Sequence, residues 1–152
     1  MPMPDAETRL AEFIARYSPE VAALGTAAIA RLRADLPNAH ILAYDNYNAL
    51  AVGFSPSEKS SEGIFSIALY PRWVSLFFLQ GAGLADPDGL LKGSGSTVRH
   101  IVLDGIADFD RPDIRALMDA ALASAKRPLD PEVQGRLIIK SISAKQRPRR
   151  PS

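Results

Sequence analysis

The sequence predicts an α+β fold: an antiparallel β-meander sheet with N-terminal helices and one C-terminal helix packed on it. Three observations carry that expectation. The apolar period is 3.6 residues as far as Leu36, becomes 2 after Asn38, and returns to 3.6 after Asp108. The helical stretches stand at the two ends and are not interleaved with strands, which argues against βαβ winding. The strand stretches are parted by Asp, Asn, Pro, Ser and Gly, the residues of tight turns.

In chain order, "AETRLAEFIARY" places Leu10, Phe13, Ile14 and Tyr17 on one side of a helix. Ser18, Pro19 and Glu20 then restart the chain with a cap, a first-turn proline and an acid that complements the dipole. The second helix is expected from about Pro19 to Leu36, with Val21, Leu24, Ala28, Leu32 and Leu36 buried and Pro37 ending it. "HILAYDNYNALAVGF" reads as two strands around an Asp45-Asn46 turn, with Leu50, Val52 and Phe54 on one face. "IFSIALY" and "WVSLFFLQ" form a hairpin across Pro71-Arg72, and the second is apolar on both faces, so an interior position and a buried Phe77 are expected. After a long glycine-rich connection comes the strand "TVRHIVL". A helix from about Arg111 to Ala125 follows, capped by Asp110, with Lys126 and Arg127 in its last turn. "LIIKSI" suits a short edge strand. One domain is expected over residues 1–143, and residues 144–152 are expected to be a solvated basic Pro/Arg-rich tail.

Composition narrows the chemistry. A 152-residue chain buries roughly 70% of its unfolded surface and needs no disulfide or metal staple. There is no cysteine, which removes disulfides, thiolate zinc sites, iron–sulfur ligation and cysteine nucleophiles, and fits a reducing, cytoplasmic location. A net charge of +1 supplies no global field for nucleic acid or an acidic membrane. No run of about 18 apolar residues marks a membrane span. The opening "MPMPDAETRL" lacks the apolar core of a secretory signal.

The stretch "LLKGSGSTVRH" concentrates glycines, hydroxyls and cations. A phosphate-binding P-loop needs Lys-Ser/Thr after the glycines and a helix beyond; here Lys92 precedes them and a strand follows. The dinucleotide fingerprint fails for want of the same helix. Two readings stay open. Gly93 and Gly95 shape a turn anchored by Leu90 and Leu91, or Lys92, Ser94, Ser96 and nearby backbone N–H groups form a small anion nest. Arg99 and His100 point to opposite faces of their strand. Tyr44, Asp45 and Tyr47 either flank a turn or line a pocket, and Trp73 beside Arg72 either anchors the sheet or offers a stacking surface. A Ser75–His100–Asp45 triad lacks a nucleophile elbow.

The segment Ile64–Leu122 resembles the YdhG-like family of small bacterial domains of unknown function. The resemblance lies in "WVSLFF", then "GLADPDGLLKGSGSTVRHIVL", then the helix "DRPDIRALMDAAL". It implies an α+β sandwich with some likeness to frataxin, and some relatives have been proposed as iron chaperones. In this chain Glu7 and Glu12 alternate with Arg9 and Arg16, so the first helix carries no acidic ridge. The expected function is therefore a non-enzymatic binding or interaction module for a small ligand or protein. An iron-binding chaperone is the alternative and a hydrolase the least favoured reading. Tyr44, Tyr47, Trp73, Lys92, Ser94, Arg99 and His100 are expected to meet at one sheet end beside the glycine-rich loop as its ligand-binding surface. No catalytic residue and no cofactor is assigned, and metal binding is left unassigned. No membrane or nucleic-acid partner is expected, and self-association stays open.

Overall fold

Local capping starts the first two helices. In the computed structural model, which describes residues 5–151, the Asp5 carboxylate accepts from the Thr8 N–H at 2.8 Å at the head of α1 (Ala6–Ala15). Ser18 Oγ accepts from the Val21 N–H at 3.4 Å, and Pro19 opens α2 (Pro19–Asp35). Val21, Ala28 and Leu32 are buried as the helical spacing requires, joined by Gly25 and Ile29, while Leu24 is only half-buried. The third helix departs from expectation. α3 (Pro112–Ala123) starts after Arg111 without a side-chain cap, and the Asp110 carboxylate is drawn away by Arg31 at 2.8 Å. Lys126 and Arg127 fall beyond its end.

Between α2 and α3 the chain makes five strands: β1 (His40–Asp45), β2 (Leu50–Ser55), β3 (Phe65–Leu69), β4 (Val74–Phe78) and β5 (Arg99–Val102), each antiparallel to the next. Residues directly opposite one another share a face. One row runs Ile41, Phe54, Phe65, Phe78 and the next Ala43, Val52, Ile67, Leu76, Ile101. These side chains join Leu10, Ile14, Tyr17, Ile29 and Leu32 of the N-terminal segment, with Phe109, Ile114, Leu117 and Met118, in a single core. Phe77 lies outside it. Its neighbours Leu76 and Phe78 take the core face, so alternation turns Phe77 to the other side, where its ring packs 5.2 Å from His100.

The sheet is mixed, which corrects the purely antiparallel expectation. β6 (Leu137–Ile142) is an edge strand, but it lies parallel to β1, giving the order β5-β4-β3-β2-β1-β6. The direction follows from where the chain returns. The Gly135 N–H donates to Pro37 O at 3.1 Å and the Ile41 N–H to Arg136 O at 2.9 Å, so β6 enters beside the start of β1 and must run with it. Backbone meets backbone there: a Cβ on Gly135 would lie 1.7 Å from Ala39 O.

The C-terminal segment also departs from expectation. Residues 144–151 are not a solvated tail but are docked on the β1–β2 turn; Ser152, like residues 1–4, lies outside the described residues. Arg149 is only 4% exposed. Its guanidinium donates to Asp45 Oδ1 at 2.9 Å and to the carbonyls of Asn46 and Tyr47. The Arg147 N–H donates to Tyr47 O and the Gln146 amide to Asp45 O, both at 2.9 Å. Composition pointed to a tail because apolar area is scarce; here charge and hydrogen bonding hold the segment instead.

Two outcomes follow from these contacts. Arg149→Ala removes the buried partner of the Asp45 carboxylate, itself 1% exposed, leaves it only the half-exposed Arg16, and should cost about 3–5 kcal/mol in denaturant unfolding, the scale of breaking a buried pair from one side. A loss under about 1 kcal/mol would show that the segment does not dock in solution. Gly135→Ala forces the β6 crossover away from Ala39 and should cost about 1–3 kcal/mol, with amide-exchange protection falling first in Leu137–Ile142.

Candidate functional site

The helices cover one face of the sheet, and the opposite face carries unusually small side chains. Its rows read Tyr44, Ala51, Ala68, Ser75, Val102 and Leu42, Gly53, Ser66, Phe77, His100. Ala51, Gly53, Ser66 and Ala68 leave the middle of this face low, while Tyr47, Tyr70, Phe77 and Leu79 stand around it. The result is an open cavity of about 540 Å³ with Ala51, Ser66 and Ala68 on its floor. Asn46, Asn48 and Ser143 add polar groups at the end of the β1–β2 turn.

A second depression of about 710 Å³ adjoins it, sharing Asn48 and Tyr70. Tyr70 and Trp73 stack there, ring centres 4.7 Å apart and planes 19° from parallel. Arg72, Arg147 and Arg150 line it with Pro71, Pro148 and Pro151. Burial pushes the Tyr70 phenol above the ordinary tyrosine value, so its hydroxyl stays protonated and can donate throughout the neutral range. Two further hydroxyls lie in one cross-strand row, separated by Ala51 and Ala68. Tyr44 Oη and Ser75 Oγ are buried with no hydrogen-bond partner among the described residues.

The residues singled out in the sequence separate into two groups. Tyr47, at 49% exposure, and Trp73, at 42%, lie at the end of the sheet that holds the β1–β2 and β3–β4 turns, and Tyr44 lies on the same open face. The glycine-rich loop belongs to the other end. Arg99 pairs with Phe78, five residues along β4 from Trp73, about 17 Å at strand rise. His100 shares the open face but borders it four strands from Tyr44, about 19 Å away. Arg99 is on the helix-covered side, with its guanidinium turned back to the carbonyls of Gly95 and Val98 at 2.5 and 2.8 Å. Lys92 and Ser94 are exposed, and the Lys92 backbone bridges to His100. The seven residues therefore do not form one surface.

The donors at the start of the loop are spent inside it. Both Asp86 carboxylate oxygens accept at 2.9 Å, one from the Leu90 N–H and one from the Leu91 N–H, just ahead of the Lys92–Ser96 stretch expected to form an anion nest. Leu90 and Leu91 pack against the core, as their role as anchors requires. The imagined triad does not assemble: Asp45 is on the helix-covered face, bound by Arg149 and Arg16, while Ser75 and His100 are on the open one.

Sequence reasoning missed Tyr70, the floor residues and the arginines of the C-terminal segment. The floor had a signal: Ala51, Gly53, Ser66, Ala68 and Ser75 are the alternate partners of large core residues in three successive strands. The groove between α1 and α2, about 660 Å³, is lined mainly by alanine, leucine and isoleucine, and its Glu7 and Arg33 pair with each other at 2.6 Å. It offers a ligand little to orient it. Searches against family models, curated proteins and solved structures found no match to this chain.

The loop geometry makes one test simple. Gly93 has φ +113°, a backbone state L side chains rarely adopt, whereas Gly95 does not have positive φ and a Cβ there meets open space. Gly93→Ala should cost about 1–3 kcal/mol; Gly95→Ala should leave the thermal midpoint within a few degrees. The reverse order would mean that the loop turns at Gly95.

Proposed function

We propose that this protein is a non-enzymatic binding module whose open sheet face takes a flat, largely apolar group such as an aryl ring. The observation that carries the reading is the run of small residues between aromatic walls, which leaves a cavity in the middle of a sheet face. Filling it removes water from Ala51, Tyr70 and Phe77, and each 100 Å² of apolar area so covered contributes about 2.5 kcal/mol before binding entropy is subtracted. Asn46, Asn48 and the Tyr70 hydroxyl supply the few polar groups that orient a ligand in such a site.

The resemblance of Ile64–Leu122 to YdhG-like domains, a family with no established reaction, goes with the same reading. The iron-chaperone alternative gains no support from the side chains. Among the described residues no group of three or more His, Asp or Glu could hold a metal ion, and Glu7 is paired with Arg33.

The test uses the full chain and a neutral aromatic probe, 1-naphthol, followed by ¹⁵N–¹H NMR. Saturable shifts are expected at Ala51, Ser66, Ala68 and the indole N–H of Trp73, the only tryptophan. Ala51→Leu, which raises the floor, should weaken binding at least about tenfold, the effect of losing roughly 1.4 kcal/mol, without lowering the thermal midpoint. Shifts scattered over the surface, or unchanged binding to Ala51→Leu, would overturn the proposal.

A further inference from the structure

We infer that the ligand of the open face carries an acid group, carboxylate or phosphate, and that the docked C-terminal segment supplies the cations that hold it. This rests on the binding reading above and specifies its ligand. The depression that adjoins the cavity is lined by Arg72, Arg147 and Arg150, and no Asp or Glu lines either hollow. Among the described residues none of these three arginines is in an ion pair, although eight other arginines of the chain are. A net charge of +1 thus conceals a cationic end on the sheet with no ion-pair partner among the described residues.

The arginines are also placed rather than free. Arg149 is the inward anchor of the segment, which leaves Arg147 and Arg150 at the surface on either side of it. The Arg147 guanidinium lies 5.9 Å over the Tyr47 ring, and Arg150 Nε donates to Arg16 O at 3.2 Å. Each keeps further N–H donors for an anion. A planar body in the cavity, beside Tyr70, brings an acid substituent to these donors, where charge-assisted hydrogen bonds form. The ligand class is an aromatic acid or aryl phosphate.

The experiment compares 1-naphthol, 1-naphthoate and 1-naphthyl phosphate on the full chain by NMR and calorimetry. At least one acid should bind about tenfold or more tightly than the alcohol, and the advantage should shrink as salt rises. The tighter of the two acids identifies the anion. Arg147→Gln/Arg150→Gln should erase the advantage while leaving 1-naphthol affinity intact. Arg72→Gln, a side chain with no hydrogen bond or ion pair among the described residues, should reduce it without any effect on folding. Equal affinity for alcohol and acids would overturn the anion assignment and leave the apolar cavity standing. No binding of any of the three would overturn both. A single-stranded oligonucleotide that moves the same resonances at lower concentration than either acid would overturn it in favour of nucleic acid.

Discussion

Asp45 is the point on which the arrangement of the chain's ends depends. Its carboxylate is 1% exposed and lies between Arg16, just past α1, at 3.2 Å and Arg149 at 2.9 Å. Its carbonyl accepts from the Ser143 N–H and from the Gln146 amide. One residue at the end of β1 therefore joins the first helix, the central sheet and the closing segment. Tyr17 completes the surroundings. Its hydroxyl accepts from the Leu50 N–H at 2.9 Å, its ring lies 5.7 Å from the Arg149 guanidinium, and burial raises its pKa above the ordinary tyrosine value. Such a pair adds little net stability over an apolar replacement, because both ions lose their water. What it adds is register. A carboxylate that cannot be left alone admits few positions of the segment that satisfies it.

The second constraint is that the helices all lie on one side. The crossover from β5 through α3 to β6 returns on the face that α2 already occupies, since its apolar residues enter the same core as those of β1–β5. Phe54, Phe65, Phe78, Leu69 and Leu76 are fully buried there. The other face has no helix layer, and its alternate positions hold Ala, Gly and Ser in the middle strands. Aromatic residues remain at its margins, where a ring can bury one side and keep the other wet. The cavity is thus a product of a one-sided fold and not of a loop closing over the sheet.

This much was legible in the sequence because it depends on alternation. Leu50, Val52 and Phe54, and Phe65, Ile67 and Leu69, identify the core face by period alone, and the Ser18-Pro19 start of α2 is local chemistry. Phe77 was misread because a strand apolar on both faces does not say which side a layer covers. The grouping of Tyr47 and Trp73 with Lys92 failed on parity. In an antiparallel meander the first and third turns share one end and the second and fourth the other, so the glycine-rich loop could not join the tyrosine turn. The parallel pairing of β6 and the docking of Arg149 depend on contacts about a hundred residues apart, in segments whose composition reads as exposed.

The two constraints meet at the end of the sheet. Arg149 turns inward because Asp45 requires it, and the same extended segment then presents Arg147 and Arg150 outward beside Tyr70 and Trp73. The Arg147 backbone is fixed by its bond to Tyr47 O, and Pro148 and Pro151 restrict the chain on either side of the buried arginine. A flexible basic tail would lose conformational freedom each time it closed on an anion. Here folding has already ordered the backbone that carries the cations, so less is lost on binding. The buried ion pair, of little net value to stability, then has its consequence at the surface: it converts a sequence that reads as a solvated tail into one wall of the depression beside Tyr70 and Trp73.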